Sequence, residues 1–134
     1  MVTIDHECYV DMEVAKLLKK AGFDWKCKYA YIITPAGDMP TGEEGTLTES
    51  EIDTNWLAQS PTLDGAQKWM REEKGVEVNV ICVYINHIRK YSYTAFTNEY
   101  EHEIIDEGFG TYEEAQDAGI KNALETILQI ANAE

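Results

Sequence analysis

The chain has 134 residues, a length that suits one domain spanning 1–134, and area scaling buries roughly two thirds of the surface that the unfolded form would expose. Hydrophobic residues make up 44% of it, the level of an ordinary globular domain, which excludes disorder as the general state. Against 11 Lys and Arg stand 25 Asp and Glu, a formal net charge of −14. Such a surface repels phosphates and anionic bilayers, so direct binding to nucleic acid or membrane is excluded and a basic protein partner is favoured. The plainer reading of the same charge is solubility.

Cys8, Cys27 and Cys82 are an odd number in a chain with enough core of its own. They imply no disulfide framework, and a reducing compartment fits them. Residues Met1 to Cys8 combine neither a basic region nor an apolar run, so they read as no signal peptide. Val76 to Ile88 is the longest apolar-rich stretch and is too short and too interrupted to span a bilayer. A cytoplasmic protein is expected.

In chain order, Asp11 is placed to cap a helix through Ala21, with Val14, Leu17, Leu18 and Ala21 at helical spacing and Gly22 as the stop. Lys26 to Ile33 reads as a strand with Cys27, Tyr29, Tyr31 and Ile33 on one face, and Pro35 to Asp38 as a turn. Met39 to Ser60 carries little signal beyond a short strand at Leu47 or at Trp56-Leu57-Ala58. Thr62 then caps a second helix whose buried stripe is Leu63, Ala66, Trp69 and Met70, and Gly75 ends it.

Val76 to Ile85 is the strongest strand. Its far end is apolar on both faces, which predicts a central place in a sheet with cover on both sides. A turn at Asn86 to Lys90 leads into a partner strand, Tyr91 to Tyr100, and a further short strand is expected around Ile104 and Ile105. Thr111-Tyr112-Glu113-Glu114 is a capping box that opens the longest helix, to Ala131. Gly119 within it costs about 1 kcal/mol against Ala, which close approach to the sheet would explain.

The expected architecture is α+β: a mainly antiparallel sheet of about four strands with three helices packed on it, in the order α-β-β-α-β-β-α. Thr62 and Thr111 each stand four residues before an Ala-Gln pair, a hint of internal duplication.

Leu18-Lys19-Lys20-Ala21-Gly22-Phe23, then Cys27 with Tyr29 and Tyr31, then Pro61 to Glu72 and Thr111 to Ala115, resemble the motifs of a family of small acidic proteins of Bacteroides-group bacteria and their prophages. The matches touch less than half of the chain. Met70 stands where the family has leucine, which leaves the core unchanged. These motifs are helix-packing signatures, and the family has no assigned function, so the resemblance implies a mobile-element origin and no catalytic residue.

No catalytic, cofactor-binding or metal-binding set emerges from the residues themselves. His6-x-Cys8 is a single pair, whereas zinc sites show two pairs. Cys27 and Cys82 lie on expected inner strand faces, where a thiol is a small hydrophobe. Glu99, Glu101, Glu103, Asp106 and Glu107 form a carboxylate cluster of the kind any chain this acidic contains. Gly108-Phe109-Gly110 before a helix is a weak anion-site pattern, and Glu113 and Glu114 would repel a phosphate.

Tyrosine is what remains. Tyr29, Tyr31, Tyr91 and Tyr93 fall on strands in same-face pairs, which makes them the candidate partner-binding residues if one sheet face is open. The bland alternative is that these rings close the edge of the core. The expected function is therefore a small non-enzymatic interaction protein acting through an acidic, tyrosine-rich surface. The competing class is a small-molecule-binding or metal-dependent enzyme using His87 or His102 with carboxylates.

Overall fold

A computed structural model describes residues 1–4, 6–33, 45–49, 56–96 and 101–133, the last with backbone alone at 101–107 and 130–133. The expected turn at Pro35 to Asp38 lies outside the described residues. The elements are β1 (Val2–Ile4), β2 (Glu7–Tyr9), α1 (Met12–Lys20), β3 (Tyr29–Ile32), β4 (Leu47–Glu49), β5 (Leu57–Ser60), α2 (Leu63–Lys74), β6 (Glu77–Ile85), β7 (Ile88–Phe96), β8 (Glu101–Phe109) and α3 (Tyr112–Ala133).

The helices start and stop where the sequence places their caps. Asp11 accepts from the Val14 amide at 3.0 Å and Thr62 from the Gly65 amide at 3.0 Å. Each side-chain oxygen satisfies one of the free donors of a first turn. Thr111 does the same for Glu114 at 3.1 Å. Gly75 closes α2 at φ 65°, a left-handed conformation that costs glycine nothing.

The fold is α+β with antiparallel strands, but the single sheet of about four strands is not what forms. Three small sheets form instead: the hairpin β1-β2, a sheet in the order β4-β3-β5, and a sheet in the order β6-β7-β8. The additional pieces are short. β1, β2 and β4 have three residues each, too few for alternation to register against loop composition. The strand expected at Lys26 to Ile33 is held to Tyr29–Ile32, flanked on both sides by segments from the stretch that carried little signal.

A repeat would give two sheets of one topology. Here the first three-stranded sheet places its first strand in the middle and the second sheet its second strand, so the two are not copies.

The core joins both halves. Val10, Val14, Leu18, Leu63, Trp69, Met70, Val78, Ile120 and Leu124 are buried together. Val10 acts as a knot: its carbonyl accepts from Ser60 Oγ at 2.9 Å and Tyr31 OH at 3.1 Å, and its amide donates to the Pro61 carbonyl at 3.0 Å. The close approach expected at Gly119 is present. A Cβ there would lie 2.8 Å from Val78 Cγ1 and 3.0 Å from the Tyr93 ring.

The expected central strand, β6, lies at the edge of its sheet, bonded to β7 and to no other strand among the described residues. Its start is covered by the helices on one face only, with Val78 buried, whereas Tyr84 is 71% exposed and Ile85 36%. Apolar residues on both faces therefore mark a hairpin that projects beyond its cover.

Candidate functional site

The projecting element is built by its turn. Asn86 (φ 52°) and His87 (φ 68°) both adopt positive φ, the conformation of a two-residue type I′ turn, whose twist matches that of paired strands. The ladder then runs unbroken from Ile85↔Ile88 back to Glu77↔Phe96. Alternation sorts the side chains. Val78, Val80, Cys82 and Tyr84 share the helix-bearing face with Ala95, Tyr93, Tyr91 and Arg89, and Ile81, Val83, Ile85 and Ile88 occupy the other.

Towards the tip α3 no longer covers the helix-bearing face. Tyr91 is half-buried and meets the Tyr112 ring edge-on at 6.1 Å. Tyr112 is 43% exposed and, with Tyr84, continues this aromatic strip to the surface. Glu113 and Glu114 follow in the first turn of α3. On the opposite face Ile88 is 58% exposed.

The four tyrosines expected to form the surface are divided between core and margin. Tyr31 and Tyr93 are buried. Burial pushes both phenols above their ordinary pKa, with Asp11 adding to the effect at Tyr31 and Glu125 at Tyr93. Tyr29 is half-buried, edge-on to the Tyr9 ring at 5.2 Å. Of the four, only Tyr91 belongs to the hairpin's aromatic strip. Tyr84 and Tyr112 are the more exposed members. In sequence Tyr84 merely alternates in phase with Val78, and Tyr112 is part of a capping box, so neither stands out.

Among the described residues, no group of three or more His, Cys, Asp or Glu is arranged to hold a metal ion. His6 sits exposed in the β1-β2 turn at φ 69°, and His87 is exposed at the hairpin tip. His102 lies on β8 opposite Ala95. Cys27 is half-buried, and burial lifts its thiol to about 11. That keeps it protonated at neutral pH and makes it a poor nucleophile.

A cleft of about 280 Å³ lies where the β1-β2 hairpin meets the starts of α2 and α3, lined by His6, Glu7, Cys8, Asp64, Tyr112 and Glu113 among others. Two of its carboxylates are already engaged. Glu7 accepts from Tyr9 OH at 2.7 Å, and Asp64 accepts from Gln116 Nε2 at 2.7 Å. With three carboxylates on its wall, the cleft suits a small cation better than an anion.

Compared with protein-family models, curated proteins and solved structures, the chain matches none. No helix among the described residues is long and apolar enough to cross a membrane.

Proposed function

We propose that this chain is a non-catalytic interaction protein, cytoplasmic and of prophage or mobile-element origin, that binds a basic protein through the tyrosine-bearing end of the β6-β7 hairpin. The observation that carries the reading is the strip Tyr84, Tyr91 and Tyr112, open at both ends beside the acidic start of α3. Exposed aromatic residues with an acidic surround supply contact area and charge complementarity together. The assignment of origin rests on the motif resemblance alone.

A pull-down from host lysate tests this, with wild-type protein beside a Tyr84→Ser/Tyr112→Ser variant. Both substitutions lie at exposed positions, so the fold should persist by circular dichroism. A basic protein captured by wild type, lost from the variant and weakened at high salt supports the proposal. Equal capture by both proteins overturns it.

The cleft at His6 favours a second reading, a site for a small cationic molecule. Saturable heat of binding for such a compound, abolished by Asp64→Asn, would support it.

A further inference from the structure

We propose that two copies of this chain join edge to edge through β6, in an antiparallel pair centred on Cys82. This goes beyond the interaction with a basic protein and stands independently of it.

The turn fixes which backbone groups are free. In a two-residue hairpin the closing pair, Ile85↔Ile88, is hydrogen-bonded, and bonding then alternates along the ladder. Val83, Ile81, Asn79 and Glu77 therefore bond to β7, and the N–H and C=O groups of Val78, Val80, Cys82 and Tyr84 point outward. Gln67 verifies this phase, since its side-chain amide donates to the Val78 carbonyl from the outer side. It also plugs the edge at that point, and among the described residues no strand pairs with the outer side of Val80 to Tyr84.

An unpaired edge is a ready template for an extended partner strand, and β6 fits itself. In the antiparallel register that uses all three open residues, Cys82 faces Cys82 of the second copy, and Val80 faces its Tyr84. About six backbone hydrogen bonds result. The intervening Ile81 faces Val83. Every cross-pair inside the register is thus apolar, and aromatic–β-branched and β-branched–β-branched pairs are the favourable kinds. The strand's one charged residue, Glu77, lies outside the register. The two Glu77 side chains would be roughly 30 Å apart at strand rise, well beyond screening range. In a chain with 25 acidic residues, the open edge carries none, and it lacks the Lys or Pro that commonly blunts an edge.

The outward direction of Cys82 supplies the test. Cys82→Pro removes an N–H that does not bond to β7, so each subunit should keep its fold, whereas the new pair loses its central donors. Sedimentation of wild type across a range of concentrations should show a dimer. Dimerisation should tighten with added salt, because both partners are acidic. In the Cys82→Pro variant dissociation should be at least about ten-fold easier.

A chain retaining Cys82 alone, with Cys8→Ser and Cys27→Ser, should give a dimer with a short bismaleimide, since facing Cα atoms in such a pair are about 5.5 Å apart. This second measurement decides the matter if the proline variant fails to fold. A wild-type chain that stays monomeric, a folded proline variant that dimerises unchanged, or a Cys82-only chain that gives no crosslink overturns the proposal.

Discussion

Gln116 on α3 donates to Gln67 on α2, Nε2 to Oε1 at 2.8 Å, and the Gln67 amide in turn donates to the backbone of Val78 on β6. One chain of amides thus ties both helices to the edge of the second sheet. Gln116 is buried and also reaches Asp64 Oδ1 at 2.7 Å. Replacing it should leave the groups it serves without their donor. Gln116→Ala is expected to lower unfolding free energy by about 1–3 kcal/mol, read from urea denaturation. Gln116→Glu should cost more at neutral pH, because it sets a carboxylate against Asp64.

Gly119 makes a prediction in which two effects oppose each other. Alanine would gain about 1 kcal/mol in helix propensity. Its Cβ would also lie 2.8 Å from Val78 Cγ1 and 3.0 Å from the Tyr93 ring. Overpacking of that kind costs about 1–3 kcal/mol. Both neighbours are buried and have little room to yield. Gly119→Ala should therefore lower the melting temperature, whereas a purely helical effect would raise it.

What the sequence discloses here depends on how local the signal is. Asp11, Thr62 and Gly75 act within one turn of their own helix, so their roles are readable from spacing. The partition of strands into sheets depends on contacts far apart in the chain. Tyr31 is drawn inside by the Val10 carbonyl, and nothing near Tyr31 in sequence announces that partner. Likewise β6 looks doubly apolar whether it is central or projecting. Only the extent of α3's cover decides, and cover is a tertiary property. Tyr112 was hidden by its own usefulness as part of a helix start.

The cysteines should separate by reactivity. Cys82 is exposed on the hairpin, whereas Cys27 is half-buried with its thiol lifted to about 11. Thiolate is the reacting species. Iodoacetamide at pH 8 should therefore label Cys82 at least about ten-fold faster than Cys27, as followed by peptide mass spectrometry. Comparable rates would mean that the segment around Cys27 opens readily.

Asp117 on α3 yields a pH dependence with a definite sign. Burial raises its carboxyl above the ordinary value. The N-terminal amine opposes that rise, Asp11 adds to it, Lys121 opposes it and Glu13 adds to it. One of its oxygens, Oδ1, is buried without a hydrogen-bond partner among the described residues. A carboxyl whose folded pKa lies above its unfolded one binds protons more readily in the native state. Its charge therefore destabilises the fold above the folded pKa, and that penalty fades as pH falls towards the unfolded value. Asp117→Asn removes the charge and keeps the shape. The variant should melt higher than wild type at pH 7, and the gap should close on acidification towards the ordinary carboxylate range. Because the other carboxylates titrate in both proteins, the difference between the two melting curves isolates this one group. A gap that is absent at pH 7, or that widens in acid, would show that the folded carboxyl is not raised above its unfolded value.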